Sequence, residues 1–124
     1  MTVSEAISLV DRLRPNQFPE TIKISWLSKL DGQIFEEIIQ THEGGAADRF
    51  TGYGESSQDE ELLVPYPYAE DIYISFLQAQ MDRENGETAR YNQSITLYNN
   101  AFLTFQNRYN RTHLPLAGGK RFVF

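Results

Sequence analysis

Few residues of this 124-residue chain have the types and spacing that catalysis or metal binding requires. His42-Glu43 matches half of a zinc-binding helix motif, but position 46 is alanine and no second histidine follows within a turn. His113 follows the last aromatic residues of a predicted helix, where a histidine complements exposed carbonyl groups. We therefore interpret both histidines as helix-end residues. A hydrolase would need both rings near one cluster of carboxylates.

The remaining candidates for chemistry are equally incomplete. Gly118-Gly119-Lys120 lacks the spaced glycine of a phosphate-binding loop, and Arg121 stands where such a loop has Ser or Thr. Adjacent carboxylates, as in Glu36-Glu37 or Glu70-Asp71, point in different directions on a helix and form no acid/base pair. The chain contains no cysteine, which excludes thiolate nucleophiles, thiolate metal sites and disulfides. We expect no catalytic, cofactor-binding or metal-binding residues and a protein that is not an enzyme.

The end of the chain combines a hinge with basic and aromatic residues. Pro115 prevents a helix from continuing, and Gly118-Gly119 permit a change of direction. We predict that residues 117–124 form a flexible C-terminal arm. Its Phe122 and Phe124 would insert into a neighbouring subunit or partner, while Lys120 and Arg121 meet acidic groups. A terminus that packs on its own domain is the alternative.

Charge is distributed unevenly along the chain. All 17 acidic residues lie in the first 87 residues with six of the basic ones, whereas the remaining five basic residues follow without any acid. The two regions therefore carry about −11 and +5. This asymmetry favours a head-to-tail interface between copies of the chain, although internal pairing or solvation of the charges is the alternative. The predicted interface residues are Arg108, Arg111, Lys120, Arg121, Phe122, Phe124, Asp59, Glu60 and Glu61.

Length and composition indicate one domain, which we place at residues 1–116. A chain of 124 residues with 40% hydrophobic composition can build one packed core. The net charge of −6 argues against general nucleic-acid binding, because most of the surface would repel a polyanion. The N-terminus lacks the features of a signal peptide, and no apolar run of 18 residues predicts a membrane span. We expect synthesis in the cytosol and no membrane partner.

Hydrophobic periodicity predicts about four helices. The first contains Val3, Ile7, Val10 and Leu13 behind a capping box formed by Thr2 and Glu5. A second helix follows Pro19 and stops near residues 42–45, and a third begins after Pro67 and ends at Asn85-Gly86. Residues 44–67 between them form a long irregular loop, and such loops carry function or are disordered. Short strand pairing within this loop is a further option.

The fourth helix, from about residue 87 to 112, carries the most regular pattern in the chain. Its aromatic and apolar residues recur at alternating spacings of four and three, which predicts a helix packed along its whole length. They are Tyr91, Ile95, Tyr98, Phe102, Phe105 and Tyr109. With the third helix it should form a long antiparallel hairpin through a tight Asn-Gly turn. The fold class is therefore a small, mainly α-helical bundle with an irregular loop and an extended C-terminal tail.

Several segments resemble small proteins of tailed-phage and prophage structural gene clusters. They are Glu61 to Tyr68, Ile72-Tyr73, Asn85 to Glu87, Arg90 to Asn92 and Arg108 to His113. The chain is similar to head-tail connector, or adaptor, proteins over most of residues 20–115.

The resemblance implies a helical subunit that forms a homo-oligomeric ring between the portal and the tail. Portal, tail and head-completion proteins would be its partners, and DNA would only pass through the channel. Such a protein is made in the bacterial host cytoplasm and resides in the virion. The alternative is a small helical protein-binding or regulatory module without catalytic activity.

Overall fold

A computed structural model describes residues 1–39 and 50–113, which form a mainly α-helical bundle. The helices are α1 (Val3–Leu13), α2 (Glu20–Ile34), α3 (Ala69–Glu84) and α4 (Thr88–Thr112). A π-helical turn, Phe35–Ile39, continues α2, and a short 3-10 helix spans Glu55–Ser57. In the described ranges the strand-like pairing is limited to one antiparallel bridge, between Thr2 and Glu61. The predicted mainly α-helical fold is confirmed.

The first helix begins with the predicted capping box. The amide of Glu5 donates to Thr2 Oγ1 at 3.1 Å, and the amide of Thr2 donates to Glu5 Oε1 at 2.8 Å. Val3 and Val10 lie in the core, as the periodicity predicts. Leu13 was expected on the same apolar face, but its side chain is 59% exposed. The helix ends at this residue, so no following turn of α1 covers it.

The third helix is the centre of the bundle. Ten of its residues are buried, including the polar side chains of Gln80 and Asp82. Asp82 accepts hydrogen bonds from Arg14 Nη1 at 2.6 Å and from Ser94 Oγ at 2.9 Å. This buried carboxylate therefore joins the end of α3 to the end of α1 and to the start of α4. At the other end, the amide of Leu62 donates to the carbonyl of Met1, and the amide of Val64 donates to Tyr73 near the start of α3. The two ends together show that α1 runs in the same general direction as α3.

The second helix runs antiparallel to α1. Lys23, in the first turn of α2, donates to Asp11 Oδ1 at 2.6 Å near the end of α1. Near the end of α2, Asp31 accepts from the amide of Leu63, next to Leu62, whose amide donates to the carbonyl of Met1 before the start of α1. The remainder of α2 places Leu27, Leu30 and Ile34 in the core. The predicted end of this helix, at residues 42–45, lies outside the described part of the chain.

The last two helices form the predicted antiparallel hairpin. The turn between them contains Gly86 with φ +70°, a left-handed conformation that favours glycine. Phe76 of α3 packs on Tyr98 of α4 with ring centroids 5.3 Å apart. At 25 and 16 residues, the helices measure about 38 and 24 Å. The last turns of α4 therefore extend beyond the start of α3.

The aromatic stripe of α4 lies against the bundle but is only partly covered. Phe105 is buried, whereas the other five residues of the stripe are half-buried. Tyr98 is covered deeply enough that desolvation raises the pKa of its hydroxyl to about 12. The prediction of a helix packed along its whole length is therefore correct for one side only. Because α4 packs mainly on α3, its opposite side is left to solvent.

Residues 50–67 are irregular but are firmly attached to the core through Asp31. This fully buried carboxylate accepts hydrogen bonds from Tyr53 Oη at 2.5 Å, Tyr73 Oη at 2.6 Å and the amide of Leu63 at 3.0 Å. Tyr73 Oη in turn accepts from the amide of Val64 at 2.9 Å. The predicted loop is therefore a packed layer over this range. Residues 44–49 of the prediction lie outside the described residues.

Burial changes the ionisation of these groups. Desolvation raises the pKa of Asp31 above its ordinary value of 3.8, although the hydrogen bonds from Tyr53, Tyr73 and Leu63 act in the opposite direction. Desolvation also raises the pKa of Tyr53 and of Tyr73, and the neighbouring Asp31 raises both further. Both hydroxyls therefore keep their protons and serve as donors to the carboxylate.

Candidate interaction surface

One end of the bundle gathers the described residues of the predicted interface. The bridge between Thr2 and Glu61 places residues 59–61 beside the start of α1. Because α1 is parallel to α3, this is also the end at which α3 begins. The last turns of α4 extend beyond the start of α3 and pack there, with Phe105 against Tyr68 at 6.1 Å between ring centroids. Acidic and basic groups therefore lie at the same end.

The predicted acidic group is exposed, but its backbone is fixed. Asp59, Glu60 and Glu61 are all solvent-exposed. The carbonyl of Glu60 accepts from the amide of Val3 at 3.0 Å, and Glu61 accepts from the amino group of Met1 at 3.0 Å. The carboxylate of Glu61 remains 72% exposed in this ion pair. These contacts fix the backbone of Glu60 and the carboxylate of Glu61 at the start of α1.

The predicted basic group lies on the last two turns of α4. Arg108 and Arg111 are exposed, and neither forms an ion pair with a carboxylate of residues 1–39 or 50–113. Their charge is therefore not neutralised within the described part of the subunit. Lys120, Arg121, Phe122 and Phe124, and with them the predicted arm, lie outside the described residues.

An apolar groove lies between α1, α3 and α4. It has a volume of about 510 Å³. Its apolar walls are Leu13, Ile74, Leu97 and Ala101, and Glu70 and Asp71 lie at the end where α3 begins. Leu97 is 61% exposed and faces the groove from α4, as Leu13 does from α1. The groove thus presents two large apolar side chains and two carboxylates to solvent.

This groove was not predicted from the sequence. Leu13 was assigned to the core side of α1, and Leu97 falls outside the aromatic stripe. Leu97 and Leu103 were the available signal, because both interrupt the polar side of a helix that carries its apolar residues elsewhere. Both are more than half exposed, Leu103 at 55%. Glu70 and Asp71 were considered only as adjacent carboxylates that form no acid/base pair.

A second cleft lies where α4 passes residues 65–68. It has a volume of about 480 Å³ and includes Tyr66, Arg108 and Tyr109. The ring of His113 stacks on Tyr109 with centroids 3.9 Å apart and an angle of 3°. The backbone amide of His113 donates to the carbonyl of Tyr109 at 2.9 Å, which confirms His113 as a helix-end residue. His42 lies outside the described part.

The described residues contain neither a metal-binding cluster nor a membrane-spanning helix. Across residues 1–39 and 50–113, no three His, Cys, Asp or Glu side chains are grouped so that they could hold a metal ion. Among the helices of the same ranges, none has both the length and the apolar character to cross a membrane. Comparison with known proteins found no matching family model, curated protein or solved structure.

Proposed function

We propose that this chain is a structural virion-assembly protein, a head-tail connector subunit of a tailed phage or prophage. It forms a ring between the portal and the tail and acts without catalysis. The chain is made in the host cytoplasm and is incorporated into the virion. DNA passes through the channel of the ring without being bound by sequence.

The proposal rests on the residues that α4 exposes to solvent. A helix that faces only water normally carries charged residues on that side. Between Arg90 and Arg108, helix α4 contains no charged residue and instead exposes Leu97, Leu103 and several asparagines. Depletion of charge combined with exposed large apolar side chains is typical of surfaces that become buried in protein assemblies.

The position of the charged groups supports a ring of neighbours side by side. Asp59 to Glu61 and Arg108 with Arg111 lie at the same end of the bundle, on different elements. End-to-end stacking would place this end, with both its acidic and its basic group, against the opposite end of the next copy. Side-by-side contact instead allows the acidic group of one copy to meet the basic group of the next. An acidic protein also suits a channel for DNA, because a strongly basic lining would retain the polyanion.

The test combines native mass spectrometry with electron microscopy. The purified chain is examined over a range of concentrations, alone and with the portal and head-completion proteins encoded in the same gene cluster. We expect a monomer at low concentration, and rings at high concentration or on the portal. The matched variant, Leu97→Gln with Leu103→Gln, should fold normally and fail to form rings, because both side chains are exposed.

Two results would count against the connector proposal. A strict dimer under every condition, without portal binding, would contradict it. A defined complex with a single regulatory partner and no ring would instead support the small helical binding module.

A further inference from the structure

We infer that the groove between α1, α3 and α4 binds residues 120–124 of a neighbouring copy of the same chain. The inference rests on the proposed self-association and adds the contact that holds neighbours together. The groove is formed entirely by described residues, and the bound segment is Lys-Arg-Phe-Val-Phe. Three independent properties of the groove match this segment, namely charge, spacing and apolar character.

The charges at one end of the groove are opposite to those of the segment. Glu70 and Asp71 are exposed in the first turn of α3, and neither pairs with a cation of residues 1–39 or 50–113. Lys120 and Arg121 supply two adjacent cations. The segment therefore lies with its basic end at the start of α3.

The spacing of groove and segment also agrees. Glu70, Ile74 and Gln78 line the groove at intervals of four residues, which on an α-helix is about 6 Å per interval. Alternate residues of an extended segment lie on one side at about 6.6 Å per interval. Lys120, Phe122 and Phe124 therefore fall opposite Glu70, Ile74 and Gln78 in that order.

The apolar walls lie where this alignment places the aromatic rings. Phe122 reaches Ile74 and Ala101 in the middle of the groove. Phe124 reaches the far end, where Leu13 and Leu97 expose 59% and 61% of their surface. Aromatic side chains inserted between such residues are the usual anchors of protein interfaces. The two exposed leucines thus gain a partner that the described residues do not provide.

The length of the connection favours a neighbouring copy over the same copy. Helix α4 ends at Thr112, and Thr104 lies at the acidic end of the groove, about 14 Å back from His113 along the helix. Within one chain, residues 114–119 would have to reverse direction and then cover this distance. Fully extended, they span about 20 Å, and Leu114 before Pro115 disfavours the helical conformation that a tight reversal uses. Reaching a neighbour requires no reversal.

Disulfide trapping tests the inference, because the 124-residue chain has no cysteine of its own. Asn100→Cys places a thiol on the groove, and Val123→Cys places one on the side of the segment that faces away from the groove floor. The two single variants are mixed at the concentration at which the chain self-associates and are then oxidised. The control replaces Asn100→Cys by Asn99→Cys, an exposed neighbour about 100° away around the same helix.

We expect at least a fivefold higher yield of linked dimer with Asn100→Cys than with Asn99→Cys. Equal yields would overturn the inference. A double variant, Asn100→Cys with Val123→Cys, that links within monomers while the mixture does not would show that the tail occupies its own groove, which also overturns it. Rings without linkage at Asn100 would reject this contact but leave the proposed function intact. Failure to self-associate at any concentration, with or without the portal, would reject both.

A charge exchange provides a second readout that does not depend on thiols. Glu70→Lys with Asp71→Lys, or Lys120→Glu with Arg121→Glu, should each weaken self-association when present in all copies. A mixture of the two variants should regain association, because each groove then meets a tail of opposite charge. Association that does not recover in the mixture would contradict the proposed ionic contact.

Discussion

Tyr73 illustrates how single buried hydroxyls hold the irregular segment in place. Its hydroxyl accepts from the amide of Val64 and donates to Asp31, so Tyr73→Phe removes the hydrogen-bond partner of that amide and of Asp31 Oδ1. We expect the free energy of unfolding to fall by about 2–3 kcal/mol, measured by denaturant titration. Tyr53→Phe is the control, because Tyr53 is only half-buried and Asp31 Oδ2 keeps its hydrogen bond from the amide of Leu63. A larger loss for Tyr53→Phe would contradict this account.

The pH dependence of stability depends on Asp31 itself. Because burial raises its pKa, the folded chain holds this proton at pH values where the unfolded chain has released it. The contribution of Asp31 is therefore complete below about pH 3.8 and is lost as the pH rises through the pKa of the folded state. Relative to Asp31→Asn, the unaltered chain should lose stability as the pH rises above about 3.8. Unfolding titrations that show it gaining stability would mean that the tyrosine hydrogen bonds outweigh desolvation.

The turn between α3 and α4 sets the geometry of the helical hairpin. Gly86 has φ +70° with no atoms near the position of an added Cβ, so Gly86→Ala meets backbone strain without a steric clash. We expect a loss of about 1–2 kcal/mol in the free energy of unfolding. Gly54→Ala is the control, because Gly54 has φ −130° and similarly open surroundings. Thermal unfolding of the two variants should separate them, and equal effects would show that the left-handed conformation is not the cause.

Local signals were sufficient to predict the helices. These signals are the capping box of α1, Pro67 before α3 and the Asn-Gly turn. In each of them the interacting residues lie within a few positions of one another, so a short stretch of sequence is enough to recognise it. The mainly α-helical fold and the long hairpin follow from these signals together with the hydrophobic periodicity.

Long-range contacts could not be predicted in the same way. In the sequence, Asp31 looks like any polar residue of an amphipathic helix. The cost of burying its carboxylate is offset by hydrogen bonds from Tyr53 and Tyr73, which lie 22 and 42 residues away along the chain. Leu13 fits the core pattern of α1, yet the helix ends beside an open groove. The groove depends on three helices meeting, which no single window of sequence describes.

The whole molecule carries a charge asymmetry that self-association should reveal. Arg108 and Arg111 are exposed and unpaired within the described residues, so Arg108→Gln with Arg111→Gln removes two cations without disturbing the fold. If each exposed charge contributes about 0.2–1 kcal/mol to association, the dissociation constant should rise about 2- to 30-fold. Analytical ultracentrifugation measures this change.

Salt and a distant arginine provide the controls for that prediction. Raising the ionic strength from about 0.1 to about 1 M shortens the screening length from about 10 to about 3 Å, so association of the unaltered chain should weaken. The double variant should show a smaller salt dependence, because two of the interacting charges are already absent. Arg90→Gln lies at the opposite end of α4, where Arg90 pairs with Glu87 at 3.1 Å, and should leave association unchanged. Equal weakening by Arg90→Gln would show that net charge, rather than the charged end of the bundle, governs assembly.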